Sequence, residues 1–189
     1  MKQTVGFGLC GSFCTYRKTI GALRALAQEY RVIPVFSEAG YTIDSRFGKA
    51  EDFIAEVEEI CGSKALHTIA EVEPFGPKKL LDLMIVAPCT GNTLGKLANG
   101  IADSPVTFAC KAHLRNGRPV VLAISTNDGL SASAENIGKL LNRKHYYFVP
   151  FGQDSPQGKP YSLVADMDQL SATAAAALRG EQVQPILLR

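Results

Sequence analysis

A glycine-rich turn near the N-terminus has the spacing of a phosphate-binding loop. The segment GFGLCGS places Gly6, Gly8 and Gly11 in the pattern G-x-G-x-x-G, and Ser12 adds a hydroxyl donor. Because the turn lies between a strand-like and a helical stretch, its backbone N–H groups and the helix dipole favour a bound phosphate. Three interpretations are open: NAD, with Glu38 on the ribose; another phosphate ligand; or a structural turn that binds nothing.

Two further polar turns follow the most apolar stretch of the chain, in the segment APCTGNTLGKLANGIADS. The first supplies hydroxyl and amide groups at a helix start, where unpaired backbone N–H groups also gather. These side chains belong to Thr90, Asn92 and Thr93. The second turn, ADSP, opens the next helix with Asp103 or Ser104 as its cap. Plain helix capping explains one such turn, but two in succession favour a ligand.

A fourth turn, ISTNDGL, and a few loop cations complete the set of candidate groups. Asn127 in this turn either belongs to a tight connection or presents its side-chain amide to a ligand ring. A carboxylate ligand would need cationic partners, preferably a bidentate Arg. Arg46, Lys78 and Lys79 lie on loops near the expected site, although each singly also fits a solvated surface position.

Strand-like and helical stretches alternate along the whole chain. The pattern predicts strands at 4–9, 31–37, 81–88, 118–125 and 146–150, and helices at 15–30, 49–61, 90–101, 106–116, 133–144 and 166–178. Pro34 predicts an edge strand, and residues 62–77 are predicted as a loop with a short strand near Leu66. The order implies one domain over residues 1–189, with a three-layer, doubly wound, mostly parallel α/β sheet of Rossmann-like type. Ligands on such sheets bind at the carboxyl ends of the strands.

Composition excludes several classes of protein. The chain has 189 residues, of which 46% are hydrophobic, and a formal net charge of +2, which gives no reason to expect nucleic acid or an anionic membrane as a partner. No apolar run approaches the roughly 18 residues of a membrane span, and no signal peptide precedes the first strand. The five cysteines are odd in number and lack metal-site spacing. They predict reduced thiols in a cytoplasmic protein without a bound metal.

The three polar turns together resemble a known family. GLCGS, the string AP-x-T-x-NT-x-x-K-x-A-x-G-x-AD and the Asn of ISTN are similar to the homo-oligomeric flavin-containing Cys decarboxylase superfamily, over roughly residues 3–150. That group includes phosphopantothenoylcysteine decarboxylases and flavin prenyltransferases. The resemblance implies a flavoprotein fold and FMN rather than NAD. Gly8, Gly11 and Ser12 would then form the flavin-phosphate turn, and Gly6 would be an incidental strand residue.

The resemblance also implies site residues. The implied FMN contacts are Gly11, Ser12, Phe13, Ser37, Thr90, Asn92, Thr93, Ala102, Asp103 and Ser104. Asn127 matches the Asn of the family's substrate-recognition motif, and with His67, which matches a catalytic histidine loosely, it is the predicted catalytic pair. His67 would act as a general base. The decarboxylases carry PAMN where this chain has ISTN, which argues against decarboxylation.

Four longer stretches resemble a narrower branch found in spore-forming bacteria: GFGLCGSFCTY, VFSEAGYTIDSRFG, TIAEVEPFGPKK and QGKPYSLVADMDQL. This branch implies an oxidoreductase subunit that forms an aromatic pyridine dicarboxylate during sporulation. The electron acceptor would be FMN on this chain or a nicotinamide on a partner A subunit. Relatives assemble as trimers or dodecamers. The alternatives are an FMN-dependent decarboxylase of a cysteine-containing substrate, a non-catalytic partner that stabilises the A subunit, and an NAD-binding dehydrogenase.

Overall fold

The computed structural model describes residues 2–188, and within them the chain forms a mostly parallel sheet of seven strands. The strands are β1 (Thr4–Leu9), β2 (Arg31–Phe36), β3 (Leu83–Cys89), β4 (Val120–Thr126), β5 (Tyr146–Phe148), β6 (Phe151–Gly152) and β7 (Leu163–Ala165). Their order is β2-β1-β3-β4-β7-β6, and β5 pairs with β4 beside β7. The pairs among β1 to β5 are parallel, and β7 pairs antiparallel with β4 and β6.

Eight α-helices cover the two faces of the sheet in the described part of the chain. They are α1 (Tyr16–Glu29), α2 (Glu38–Thr42), α3 (Ala50–Cys61), α4 (Ile69–Val72), α5 (Gly91–Ala98), α6 (Pro105–Leu114), α7 (Ala134–Leu141) and α8 (Leu170–Leu178). Helices α1 and α8 pack on each other, and α6 crosses β1 to β4. The predicted three-layer α/β fold is therefore confirmed. None of these helices is long and apolar enough to cross a membrane.

The apolar pattern explains the layers. All seven residues of β3 are buried, as expected for a central parallel strand covered on both faces. Along α1 the buried positions Ile20, Leu23 and Leu26 recur at the helical spacing. Pro34 lies in β2, which is the edge strand, so the predicted edge position is confirmed. On its outer side the N–H of Leu66 donates to the Pro34 carbonyl, which confirms the predicted short strand as a single bridge.

Three details differ from the sequence-based prediction. The predicted loop at 62–77 contains α4 and a 3₁₀ turn at Glu73–Phe75. The last predicted strand ends at Phe148, and the antiparallel strands β6 and β7 were not expected because two or three residues are too few to show a period. Pro88 does not end β3 but lies inside it, where the ladder with β4 shifts register between Val86 and Cys89.

Glycines let α6 approach β1 near its carboxyl end. A Cβ at Gly8 would lie 2.9 Å from Cγ1 of Val106 in α6, so a larger residue there would push the helix off the sheet. A Cβ at Gly6 would lie 2.6 Å from Leu81. The first two glycines of the sequence motif therefore serve packing on the sheet face. Of the three, Gly11 is the one that lies in the turn itself.

Candidate functional site

A cleft of about 650 Å³ opens at the carboxyl edge of the sheet. Its lining comes from residues 11–15 after β1 with Lys18 on α1, from Thr90 after β3, and from residues 125–127 at the end of β4. Two loops add residues 46–47 and Asp154, Lys159 and Ser162, and β7 adds Val164. Parallel strands all end at this edge, which is where ligands bind in doubly wound folds. The volume falls within the roughly 300–1,000 Å³ typical of small-molecule sites.

The turn after β1, residues 10–13, is called the first turn below. It is tied to the end of β4 by two hydroxyl oxygens, Ser12 Oγ and Ser125 Oγ, which lie 2.7 Å apart. Thr15 Oγ1 donates to the Ser12 carbonyl at 2.8 Å and also lies 3.4 Å from Ser125 Oγ. Side-chain hydroxyl groups thus meet in one part of the cleft. Such a lining suits a phosphate or a polyol chain, which needs neutral donors as well as charge.

The turn after β3 contributes one residue to the cleft. Thr90 lines it and caps α5, because its hydroxyl accepts the N–H of Thr93. Thr93 itself is buried, and its hydroxyl donates to Cys10 Sγ at 3.3 Å. Asn92 is exposed and is not part of the lining. Of the three predicted contacts in this turn, the structure therefore brings Thr90 to the first turn.

A carboxylate of the protein lies beside the first residue of α5. A Cβ at Gly91 would be only 2.7 Å from Asp128 Oδ1, so this position requires glycine. Hydrogen bonds from Thr126 and Ser133 hold the pKa of Asp128 below its usual range, although partial burial opposes this effect. The start of α5 thus already faces a negative charge. The neighbouring Asn127 is exposed and lines the cleft.

Comparison with known proteins identifies the family. The model of the Flavoprotein family matches residues 1–177. The chain belongs to this family. Membership of this family favours a flavoprotein over an NAD-binding dehydrogenase as the interpretation of the first turn. Glu38, the residue expected on an NAD ribose, is exposed and lies outside the cleft.

Individual members of the Flavoprotein family are similar over most of the chain. The B subunit of dipicolinate synthase from Bacillus subtilis (strain 168) is 45% identical over 187 residues, which cover 98% of this chain and 94% of that protein. The crystal structure of the corresponding B subunit from Bacillus halodurans C is 45% identical, with a TM-score of 0.91 over 100% of this chain and 99% of the other. A dodecameric FMN-dependent Ubix-like decarboxylase from Escherichia coli O157:H7 is 26% identical, with a TM-score of 0.62 over 78% of this chain and 79% of that one.

Besides Asn92 and Thr93, four more of the ten flavin contacts predicted from the family lie outside the cleft. Ser37 caps α2 and accepts the N–H of Gly40 at 3.1 Å, close to the first turn, since a Cβ at Gly11 would lie 3.2 Å from Ala39. The other three, residues 102–104, form the turn that begins α6, called the α6 turn below. Ala102 lines a separate pocket of about 210 Å³ beside α6. Residues 102–104 are therefore not brought to the cleft of their own chain, whereas Ser37 lies beside the first turn without lining the cleft.

His67, the predicted base, also lies outside the cleft. Its ring stacks on Tyr41, with centroids 3.9 Å apart and planes 3° from parallel, and its Nδ1 lies 3.6 Å from Glu71 Oε2. Tyr41 lines a different surface hollow, of about 530 Å³, between α2 and α3. The sequence spacing placed His67 before β3, but the chain turns outward past the edge strand β2 at this point. Its catalytic role stays a prediction.

The cations divide between the two edges of the sheet. Arg46 lines the cleft, together with Lys18 on α1 and Lys159 in the loop after β6. Sequence reasoning missed both of these lysines. The QGKPYS segment around Lys159 carries a family resemblance, but no local pattern in it signals that its charge faces the cleft. The expected position of Lys78 and Lys79 near the site was wrong, but both residues are exposed, as the alternative of a solvated surface position predicts. The Lys79 carbonyl accepts a hydrogen bond from Arg118 just before β4, which places both lysines at the opposite, amino edge.

All five cysteines are free thiols. Burial raises the pKa of Cys10 to about 11, and that of the buried Cys89 well above its ordinary value. These two thiols are therefore protonated and unreactive at neutral pH. Cys14 is exposed on the cleft, with its Sγ 3.8 Å from Ser12 Oγ.

Proposed function

We propose that this chain is the FMN-binding B subunit of dipicolinate synthase, which oxidises dihydrodipicolinate to dipicolinate with an A subunit during spore formation. The observation that carries the proposal is the cleft in which the first turn meets the end of β4 through Ser12 and Ser125. It combines the phosphate-type turn of a flavoprotein with the Asn127 turn in which decarboxylases of the family recognise substrate. The 45% identity to a dipicolinate synthase chain over nearly the whole length supports the choice of reaction.

The residues present fit a flavin mononucleotide. Gly11, Ser12 and Phe13 offer a small-residue turn and a hydroxyl for the phosphate, and Thr90 adds a second hydroxyl. Because Asp128 remains ionised beside α5, we place the phosphate toward the first turn rather than over the start of α5. FMN, when bound, supplies the acceptor for the two electrons and the hydrogen that leave the dihydropyridine ring.

The side chains of this chain orient the substrate and receive its proton. Asn127 donates from its amide to a polar edge of the substrate ring. His67 is the proposed base. Since it does not line the cleft of its own chain, we propose that a homo-oligomer brings His67 of one copy to the cleft of the next. The same arrangement would let the α6 turn, with Ala102, Asp103 and Ser104, contact a flavin held by a neighbouring copy.

Flavin binding and turnover test the proposal separately. Purified protein titrated with FMN should quench flavin fluorescence and, after gel filtration, retain the visible absorption of an oxidised flavin. Under anaerobic conditions, dihydrodipicolinate should bleach that absorption, with the A subunit added where needed. Protein that stays colourless and leaves FMN fluorescence unchanged would contradict the proposal.

A second candidate is a non-catalytic role in which this chain stabilises the A subunit. The position of His67, stacked on Tyr41 away from the cleft, favours this alternative over catalysis by an isolated chain. Dipicolinate formation that requires both chains but proceeds equally in flavin-free protein would support it. Release of carbon dioxide from a cysteine-containing peptide would instead indicate the decarboxylase alternative, against which the sequence ISTN argues.

A further inference from the structure

The lining of the cleft is positively charged. Lys18, Arg46 and Lys159 all line it, and Asp154 is the one carboxylate among the lining residues in the described part of the chain. The residues that line the cleft therefore carry a net charge of +2, which equals the formal net charge of the whole protein. Charge concentrated in a concave site attracts anions more strongly than the same charge spread over the surface.

Arg46 is held in a defined position at one side of the cleft. Ser45 and Gly48 exchange backbone hydrogen bonds of 3.0 and 3.1 Å, which close the turn that carries Arg46. The guanidinium carbon lies 4.9 Å from the centroid of the Phe47 ring. A guanidinium beside an aromatic ring can still use its N–H groups for a bidentate bond to a carboxylate.

Lys159 faces the same cleft from the loop after β6. Its backbone is fixed on both sides, by a 2.7 Å bond to the Ser155 carbonyl and a 3.0 Å bond from the Ser162 N–H. Its ammonium lies 3.3 Å from Asp154, and the side chains of this pair are 56% and 30% exposed. An ion pair this exposed contributes little, so a ligand carboxylate can replace Asp154 as the partner of Lys159.

The third cation has a different neighbourhood. Lys18 lies in the first helical turn of α1, directly after the first turn and its 3₁₀ segment Phe13–Thr15. Arg46 and Lys159 come from loops more than 25 residues from the first turn along the chain, and they line the cleft beside the exposed ring of Phe47. The cleft thus offers one cation next to the phosphate turn and two cations on loops, of which Arg46 lies against the Phe47 ring. One cation matches the need of a phosphate, and two match the need of a flat ring with two carboxylates.

We propose that Arg46 and Lys159 form a second anion subsite, which binds the two carboxylates of a planar dicarboxylate substrate while Lys18 assists the FMN phosphate at the first turn. This assignment rests on the proposed function, because it presumes that one cleft holds both a flavin and a dicarboxylate. It makes Arg46 and Lys159 determinants of substrate specificity. A monocarboxylate would satisfy one cation and leave the other with Asp154 or water.

Two separate titrations test the subsite on the purified full-length chain. Pyridine-2,6-dicarboxylate is titrated by calorimetry in flavin-free protein at fixed ionic strength, with pyridine-2-carboxylate as the monoanionic comparison, and FMN is titrated by fluorescence quenching. Arg46→Gln and Lys159→Gln should each weaken dicarboxylate binding about tenfold and leave the Kd of FMN within about twofold. Lys18→Gln should show the reverse. Asp154→Asn should tighten dicarboxylate binding, because it removes the competing partner of Lys159.

Matched controls remove charge at the opposite edge of the sheet. Arg31 begins β2 and Lys144 precedes β5, and both are exposed. Arg31→Gln and Lys144→Gln should leave both titrations unchanged, and the circular dichroism melting curve verifies that every variant is folded. If Arg46→Gln and Lys159→Gln weaken FMN binding instead, or change neither titration, the subsite is overturned. Wild-type protein that fails to bind FMN but shows Arg46-dependent dicarboxylate binding would overturn the proposed function and leave the subsite standing.

Discussion

The first turn and the α6 turn have similar sequences of small polar residues, but they use their donors differently. In the first turn, Ser12 shares a hydrogen bond with Ser125 inside the cleft. In the α6 turn, Ser104 and Thr107 satisfy each other, because each side-chain oxygen accepts the other's backbone N–H, at 3.3 and 3.1 Å. Both serines are followed three positions later by a threonine, so the difference lies in the partner. Thr107 closes the α6 turn as a capping box, whereas Thr15 bonds to the Ser12 carbonyl and leaves the Ser12 hydroxyl to Ser125 in the cleft.

Acid is expected to have the largest effect on stability, and it acts at the end of α6 opposite the α6 turn. His113 near the end of α6 is fully buried, and burial lowers its pKa to about 4 even though Nε2 lies 3.0 Å from the Pro119 carbonyl. The unfolded chain binds this proton below pH 6.5 and the folded chain does not. The free energy of unfolding should therefore be unaffected by this group above pH 6.5 and fall by about 3 kcal/mol as the pH drops to about 4.

Urea denaturation of the wild type and of His113→Leu at pH 7.5, 5.5 and 4.5 measures this effect. Carboxylates with lowered pKa also lose stabilisation at low pH, so the difference between the two proteins isolates His113. An identical pH dependence in both proteins would show that the imidazole is protonated within the folded state.

Closing the first turn should abolish most flavin binding. Gly11→Val places a branched side chain at the lining of the cleft, where even a Cβ would lie 3.2 Å from Ala39. We expect the Kd of FMN to rise at least roughly 100-fold, which corresponds to about 2.7 kcal/mol. Gly21→Ala on α1 is the matched control, because nothing lies within 4 Å of its added Cβ. Equal FMN affinity in the two variants would exclude the first turn as the phosphate site.

Opening the capping box should affect stability rather than binding within one chain. Ser104→Ala leaves the N–H of Thr107 without its acceptor, and we expect a loss of about 1 kcal/mol in the free energy of unfolding. Urea denaturation measures the loss, and the fluorescence titration of monomeric protein isolated by gel filtration should give an unchanged Kd for FMN. A tenfold weaker FMN affinity would break the comparison and support Ser104 as a flavin contact, as its family resemblance predicts.

The smallest effect is expected at the surface of the α6 turn. Asp103 pairs with Lys96 at 2.8 Å, which lowers the pKa of Asp103, but its side chain is exposed. Asp103→Asn should leave the melting temperature unchanged within error, in both low and high salt. A change in oligomer size by light scattering, together with weaker FMN binding, would support the proposed contact of this turn with a flavin held by a neighbouring copy. A lower melting temperature of the monomer would contradict the prediction.

Periodicity was sufficient to predict the five parallel strands of the sheet, and the turns were sufficient to predict its functional edge. The burial of β3 and β4 on both faces is visible in the sequence as two continuous apolar runs, and the edge position of β2 is visible as Pro34. The hairpin of β6 and β7 has no such local signal in the sequence, because it depends on β4 extending beyond β5 to pair with Leu163. Strands of two and three residues acquire their conformation from such a partner.

The candidate site was predictable where its residues follow strands and unpredictable where they lie on long loops. Gly11, Ser12, Thr90 and Asn127 follow strand ends and meet in the cleft. Lys159 reaches the same cleft from a loop whose path no local pattern specifies. His67 was misplaced for the same reason, since the connection before β3 runs along the outside of β2.

A crystal structure of the protein grown with FMN tests the flavin site most directly. We predict phosphate density at the first turn, with an oxygen about 3 Å from Ser12 Oγ, and the isoalloxazine ring in the cleft on the side of Asn127. Phosphate density at the α6 turn of the same chain, with the first turn empty, would contradict this prediction.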